Sequence, residues 1–393
     1  MTAKTIAIIA GEESGDLLGA DLVRCLRDKS GNGFNLIGVG GEHLQTEGLK
    51  TLIEPSEIAL MGITAILKQL PRLLGYVRNV AAEIIAAKPD ILIIIDSPEF
   101  THRVARKVRA ALPDLPVVNY ICPSVWAWRP GRARAMAAYI NEVLCILPFE
   151  PAELIKLGGP KGTFVGHKLT SDPDILRVQM ARQKHEVTGQ LMLLPGSRSG
   201  EISKMLPDML ETARLMLANG TAKSVTLPTL ARHRERVESI IQISKVACDV
   251  VTGSEAKWDA FASADAALAA SGTVSLELAL CNVPHASVYR LDFIAKLVVA
   301  RAFIAWSANL PNLIADRVVV PESYNNFFRP DTHSRLMAGL MENSDLAQMA
   351  QLSGFDRVRA IMKTNRPAAE IAAERVLSYL RAAGVQMNSI PLL

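Results

Sequence analysis

Leu191 to Ile202 reads LMLLPGSRSGEI, and these residues are where the chain is best equipped for chemistry. A short apolar run ends at Pro195, Gly196-Ser197-Arg198 follows, and Glu201 stands near the start of a helical pattern. That order fits a buried parallel strand, a turn at its carboxyl end and a helix beyond it. Backbone N–H groups, the positive end of a helix dipole and the Arg198 guanidinium would converge there on a phosphate or pyrophosphate. The alternative is an ordinary strand-to-helix turn whose arginine is merely solvated. It is not a Walker loop, since no Gly-Lys-Ser/Thr follows, and GGPKGT at 158–163 also misses that pattern.

A second turn of the same kind lies at Ser271-Gly272-Thr273, after the small-residue run 264–270. Glu277 is one helical turn beyond Thr273, on the same face. A carboxylate there can accept both hydroxyls of a ribose while the turn holds phosphate. Two such turns in one half of the chain argue for a nucleotide better than either alone.

The first half carries an acid instead. Asp90 to Asp96 (DILIIID) is a continuous apolar strand ending in Asp96-Ser97-Pro98-Glu99. A carboxylate at that end of a central strand sits where ligands bind in open α/β sheets, and Asp96 is a candidate general base. The competing reading is a helix N-terminus with proline in its first turn. Trp126 and Trp128, beside Arg129, Arg132 and Arg134, form either a wall against a ligand or a loop folded into the core.

The elements that must position these residues alternate strand and helix through both halves, as in doubly wound α/β domains. Strands are expected at 5–10, 35–39, 90–96, 117–121, 143–148, 162–165, 191–195, 224–227, 248–251 and 264–270. Gly11 to Asp16 (GEESGD) forms the first turn. The G-x-G-x-x-G fingerprint is absent, which disfavours a nicotinamide or flavin cofactor. Ile58 to Val77 is strongly apolar with Lys68, Arg72 and a dividing Pro71. It reads as core helices or as a helix dipping its apolar face into a membrane interface. Asp292 to Trp306 is a second apolar helix, while 310–313 and 321–322 read as loops. Asp172-Pro173-Asp174 is a D-x-D, but no apolar strand precedes it, so it reads as a helix start and not a metal site.

At 393 residues the chain suggests two domains, and 49% hydrophobic with 21% charged residues suggests a well-buried globular protein. A net charge of +4 argues against a dedicated nucleic-acid binder. The five cysteines are scattered without a C-x-x-C pair, pointing to a reducing setting and no zinc site. No signal peptide or membrane span is evident. The oligomeric state stays open between monomer and homo-oligomer.

Several stretches, taken together, resemble the lipid-A-disaccharide synthases. They are AGEESGD with LLGA (10–20), GVGG (38–41), MGI (61–63), KPD with IDSPEF (88–100), PSVWAWR (123–129), LPFE (147–150), FVGH (164–167), LLPGSR (193–198), ASGT followed by LE (270–277) and LPNL (310–313). Departures are Glu13 for a common Ala, Glu99 for Asp, Thr101 for Asn and Asn325 for Gln.

The resemblance implies a GT-B architecture, with two Rossmann-like doubly wound parallel-sheet domains facing a cleft. The domains would be 1–168 for the acceptor and membrane side and 169–366 for the UDP-sugar, with a last helix at about 367–383 packing back on the first. The implied reaction joins UDP-2,3-diacylglucosamine to 2,3-diacylglucosamine 1-phosphate, with inversion, in a β-1,6 linkage. Asp96 and Arg198 would be catalytic. Gly196, Ser197, Arg198, Ser271, Gly272, Thr273, Glu277 and Asn312 would bind UDP. Gly11, Glu12, Ser14, Gly15, Trp126 and Trp128 would line the acceptor side, and Leu67, Leu70 and Leu74 would meet the membrane. No metal is expected, since Arg198 and the helix dipoles can neutralise the leaving group. The enzyme would be cytoplasmic and peripheral on the inner membrane. Competing readings are another UDP-sugar enzyme of the same shape, such as a UDP-N-acetylglucosamine 2-epimerase, and a non-catalytic binding module.

Overall fold

A computed structural model describes residues 4–30, 33–54, 57, 63–291, 302–342 and 346–386, without the side chains of 63–71 and 382–386. The chain divides into two compact units, Met1–Lys168 with Thr364–Leu393, and Leu169–Lys363.

The first unit is built on a seven-stranded sheet, β1 (Lys4–Ala10), β2 (Phe34–Val39), β3 (Lys50–Thr51), β4 (Ile91–Ile95), β5 (Val117–Tyr120), β6 (Glu142–Cys145) and β7 (Lys161–Phe164). Its order is β3-β2-β1-β4-β5-β6-β7, parallel throughout. Both faces are covered, which is why Ile91–Ile95 is apolar at every position and fully buried. One core holds Ile94, Phe100, Val104, Val80 and Ile84. The other holds Ile93, Leu22 and Leu26 with Ala372, Val376 and Leu380 of the last helix, Ala368–Gln386. Arg375 of that helix grips fully buried Glu142 on β6 with two hydrogen bonds, at 3.0 and 2.9 Å.

Residues 58–62 of the apolar segment lie outside the described residues. Beyond them one helix, Ile63–Ala87, runs across Pro71 where a break was expected. A proline there removes one intrahelical hydrogen bond, and the buried face of Leu73, Val77, Val80, Ala81 and Ile84 secures the helix beyond it. No helix among the described residues is long and apolar enough to cross a membrane.

The second unit has a six-stranded sheet, β8 (Gln190–Leu194), β9 (Ser224–Thr229), β10 (Asp249–Thr252), β11 (Ala266–Ala270), β12 (His285–Tyr289) and β13 (Glu322–Tyr324). Its order is β10-β9-β8-β11-β12-β13, again parallel. Three sequence expectations change here. Residues 310–313 are not a loop: Leu310–Ala315 is a short helix that Pro311 helps to start. Glu322 opens β13, recruited by pairing of Ser287, Val288 and Tyr289 with Glu322, Ser323 and Tyr324 rather than by its own composition. Of the second apolar helix, 292–301 lies outside the described residues, and Ile304 and Trp306 beyond it are exposed and non-helical. Asp172 does start a helix, accepting the N–H groups of Asp174 and Ile175 at 3.0 and 3.3 Å.

Candidate active site

Each sheet reverses its winding once, between β1 and β4 in the first unit and between β8 and β11 in the second. The carboxyl ends of strands at such a point splay their loops apart and leave a crevice.

In the second unit the loops after β8 and β11 are the two phosphate-type turns. They share a cavity of about 720 Å³ lined by Gly196, Ser197, Arg198, Ser271, Gly272, Thr273 and Glu277, together with the ends of β9 and β10. The volume suits a small-molecule ligand. Gly196 is required twice over: its φ is +105°, and a Cβ there would sit 2.5 Å from Glu201 Oε2.

Glu201 changes the expected picture of this turn. Its carboxylate accepts the N–H groups of Ser197 and Arg198, both at 3.2 Å, so those two donors are engaged within the protein. It also takes the Arg198 Nη1 hydrogen bond at 2.9 Å and the Tyr289 hydroxyl at 3.2 Å. His233 supports the turn from β9's loop, its Nε2 at 2.9 Å from the Ser197 carbonyl. The Arg198 side chain is 80% exposed, and so solvated a pair with Glu201 holds it weakly. Arg198 is therefore available to an incoming anion. Across the cavity, Lys257 Nζ donates to Glu277 Oε2 at 2.7 Å and lies over the Trp258 ring. The sequence reading took Glu201 only as a helix start and missed Lys257 and His233, which the pairing of β8 with β9 and of β9 with β10 brings to the turn.

Asn312 does not line this cavity. It is fully buried, its Oδ1 accepts the N–H groups of Val319 and Val320 at 2.8 Å, and its Nδ2 donates to the Val320 carbonyl at 2.9 Å. It braces a loop, as does Asn325, whose Oδ1 accepts the Leu291 N–H at 2.9 Å.

In the first unit Asp96 and Ser97 leave β4 in the left-handed region, with φ of 53° and 43°. Asp96 Oδ1 accepts the Ser97 N–H at 2.8 Å, and Thr101 donates to the Asp96 carbonyl at 2.7 Å. A Cβ on Gly11 would lie 2.4 Å from Ser97 Cβ, and one on Gly15 would lie 3.4 Å from Asp96 Cβ, so the β1 loop backs the aspartate closely. Glu12 of that loop is exposed, as is Ser14, which lies in the first turn of the helix Glu13–Ser30, so the turn expected over 11–16 ends at Glu12. Asp16 holds the next loop by accepting the N–H groups of Gly41 and His43 at 2.6 and 2.9 Å.

Asp96 faces a cavity of about 290 Å³ whose walls include Glu99, His102, Asn119, Ile121, Trp128 and Arg132. Burial works to raise Glu99, but hydrogen bonding and attraction from Arg132, with Arg129 and Arg103, hold it below the usual carboxylate range. Burial, aided by Arg132, pushes His102 down to about 4, so it is neutral at pH 7. Its Nδ1 meets the Tyr139 hydroxyl at 3.1 Å. The two tryptophans part ways. Trp128 is 39% exposed on the cavity wall with Arg129 stacked on its ring at 4.2 Å. Trp126 packs edge-on to Phe149 and donates to Glu150 at 3.2 Å, which is the core reading.

Two of the scattered cysteines meet. Cys122 and Cys145, from the ends of neighbouring β5 and β6, lie with Glu150 in a buried cluster whose possible ligand atoms are within 4.8 Å of one another. Burial pushes Glu150 up to about 8, and its oxygens already accept the Ile146 and Leu147 N–H groups and Trp126. Leu74 is 37% exposed on the Ile63–Ala87 helix, while the Leu67 and Leu70 side chains lie outside the described residues.

Comparison with known proteins accords with this arrangement. The fold resembles solved structures at low identity: the S. aureus MnaA–UDP co-structure (13% identical, TM-score 0.59, 99% of each chain) and Acinetobacter baumannii MurG (14%, TM-score 0.56, 96% of this chain and 99% of that one). These likenesses establish a GT-B-like fold and nothing finer. A lipid-A-disaccharide synthase of Bradyrhizobium diazoefficiens is 40% identical over 381 residues, covering 96% of this chain and 97% of that protein. The family model described as lipid-A-disaccharide synthetase matches residues 6–376, which takes in both crevices and the first half of the helix Ala368–Gln386. The chain belongs to that family, the lipid-A-disaccharide synthases, glycosyltransferases of lipid A biosynthesis.

Proposed function

We propose that the chain transfers 2,3-diacylglucosamine from its UDP donor to the 6-hydroxyl of 2,3-diacylglucosamine 1-phosphate, inverting the anomeric centre to a β-1,6 linkage and releasing UDP. The observation that carries this reading is the single cavity between the β8 and β11 turns, with Arg198 on one wall and the Glu277–Lys257 pair on another. Arg198 turns from Glu201 to the pyrophosphate, whose negative charge grows as the glycosidic bond breaks. Glu277, fixed by Lys257, accepts the ribose hydroxyls. Asp96 takes the proton of the acceptor hydroxyl as its oxygen attacks the anomeric carbon, so one displacement needs one base.

Acylated substrates have to be drawn from a bilayer. We assign that contact to the Ile63–Ala87 helix, with Leu67, Leu70 and Leu74 towards the lipid on the cytoplasmic face of the inner membrane. The decisive experiment incubates the protein with both lipids and follows UDP release and tetraacyl-disaccharide 1-phosphate together. Both should form in equal amounts, and activity should persist in EDTA. UDP release without disaccharide, or epimerisation of UDP-N-acetylglucosamine, would overturn the reading. A need for added magnesium or manganese would overturn the metal-free account of the leaving group.

A further inference from the structure

Beside the Asp96 cavity lies a second and larger one that none of these roles uses. It measures about 740 Å³ and is bounded by the helices Pro98–Ala111 and Gly131–Met136. Arg103, Arg106, Arg109 and Arg132 line it, with Glu99 as the only carboxylate on its walls among the described residues. His102, also on the wall, is held neutral by burial. Four guanidinium groups therefore face one carboxylate. Arg109 is spent on neutral partners, the Leu115 carbonyl and Asn141 Oδ1. Arg106 lies 5.9 Å from the Tyr139 ring centre and has no ion pair among the described residues. Glu99 already sits where an anion would, bridging Arg132, Arg129 and Arg103.

The two cavities adjoin, with Pro98, Glu99, His102 and Arg132 on the walls of both. At the Asp96 end, Asn119 is 1% exposed and its buried Nδ2 has no hydrogen-bond partner among the described residues. A buried amide donor left unpaired is costly and points to a ligand oxygen that completes it. A polar ring thus fits at the Asp96 end and an anion at the arginine end. Arg103 and Arg106 lie five and eight residues into their helix from Pro98, about 7.5 and 12 Å along the axis at 1.5 Å per residue.

We propose that this groove is a phosphomonoester subsite. Arg103, Arg106 and Arg132 hold the phosphate on the anomeric carbon of the acceptor, whose ring spans to Asp96 and presents the 6-hydroxyl. The proposal rests on the acceptor assignment above and deepens it. The groove then selects sugars already phosphorylated at that carbon and fixes which end of the acceptor reaches the base. Guanidinium groups suit a phosphate better than ammonium groups, because they meet its oxygens two at a time.

The test compares the full-length protein with its Arg103→Gln/Arg106→Gln variant in detergent micelles. Acceptors are the diacylglucosamine 1-phosphate and the same diacylglucosamine without phosphate. In the variant, KM for the phosphorylated acceptor should rise about 10- to 100-fold, while KM for the other acceptor and the Kd for UDP stay unchanged. An equal rise for both acceptors, or none, overturns the subsite. Sedimentation with phosphatidylglycerol or phosphatidylcholine vesicles separates the other source of the same chemistry. If the variant loses only anionic-vesicle binding and keeps its micellar KM, the arginines serve membrane headgroups and the proposal is wrong. Calorimetry with glucosamine 1-phosphate and glucosamine tests the groove without turnover. Phosphate-dependent binding lost in the variant supports it, and its absence in the unmodified protein overturns it. Failure of the unmodified protein to make disaccharide from either acceptor would instead count against the reaction proposed above.

Discussion

At the switch point of the six-stranded sheet the chain leaves β8 through Gly196, with φ at +105°, and Gly272 at +154° follows β11. At the switch point of the seven-stranded sheet it leaves β4 through Asp96 and Ser97, with φ at 53° and 43°, and β5 through Ile121 at 74°. Both crevices need backbone in a region that side chains avoid. The second unit meets the need with glycine at little strain, because its turns present backbone and let neighbouring side chains approach. The first unit accepts strain of roughly 1–3 kcal/mol at such a residue. A β-branched residue at positive φ is the least comfortable of all. Strain of that kind persists where a side chain is wanted at the turn itself, and Asp96 is the side chain with chemistry to offer. In the mechanism proposed above, the contrast separates a crevice that holds the nucleotide through Arg198 and Glu277 from one that acts on the acceptor with an acid.

The largest test of that contrast is Asp96→Asn. Asparagine tolerates the left-handed region and can still accept the Ser97 N–H, so the fold should survive. It cannot take a proton from the acceptor. Turnover should fall by ~10²–10⁴-fold with UDP affinity unchanged by calorimetry. Near-normal turnover in a folded variant would reduce Asp96 to a turn residue and leave its strain without a purpose. Next in size is Arg198→Ala, which should lower kcat by ~10²–10³-fold, the range for a lost donor to transition-state charge. Its exposed pair with Glu201 contributes little to stability, so thermal unfolding should barely move. A large loss of stability with intact kcat would make Arg198 part of the turn's scaffold.

What could be read from the sequence follows from how local each signal is. Ile91–Ile95 declares a doubly covered strand in five consecutive residues, and Gly196-Ser197-Arg198 declares its turn in three. β12 was not legible, because HASVY begins and breaks with polar residues that only its neighbours satisfy. His285, for example, bonds Ser275 at 2.6 Å and Gln351 at 2.8 Å. Lys257 reaches Glu277 across 20 positions, and Arg132 reaches Glu99 across 33, so neither pair has a sequence spacing to recognise. Arg103 and Arg106 belong to no sequence motif, and only the fold sets them beside Tyr139 and Arg132 in one groove. Asn312, given to UDP by the resemblance alone, has its amide engaged with the backbone of Val319 and Val320, a role that no local pattern announces. Trp126 and Trp128, two positions apart, fell on opposite sides of the same loop, one inward to Glu150 and one at the cavity.

A smaller effect should come from giving the second unit a side chain where it uses none. Gly196→Ala places a Cβ 2.5 Å from Glu201 Oε2 and 2.9 Å from Glu201 Cβ, in a backbone conformation alanine avoids. Stability should drop by about 1–3 kcal/mol in denaturant titration. UDP binding should weaken as well, because Glu201 can no longer hold the Ser197 and Arg198 N–H groups in place. Unchanged stability would mean that the turn relaxes freely, and glycine would lose its structural necessity there.

The smallest expected effect is the converse substitution, and it is the sharpest on sign. Ser97→Gly puts into the first unit the residue the second unit uses. In the folded state it relieves a left-handed serine, worth about 1–2 kcal/mol for a residue with a Cβ. In the unfolded state glycine gains freedom, which returns roughly 0.5–1 kcal/mol of that gain. The contact with Gly11 is one-sided, since Ser97 Cβ and Oγ are what leave that position no room for a Cβ. Removing them loosens the packing but leaves no buried donor unsatisfied. The net change should be a stabilisation below about 1 kcal/mol, opposite in sign to Gly196→Ala. Turnover should fall modestly with it, because the Ser97 turn fixes the rotamer of Asp96 through the Oδ1 hydrogen bond to its N–H. A variant more stable yet slower would show that the strained turn serves the placement of Asp96. A variant that loses stability as Gly196→Ala does would show that the serine is held for packing, and the contrast between the two crevices would then lie in their charges alone.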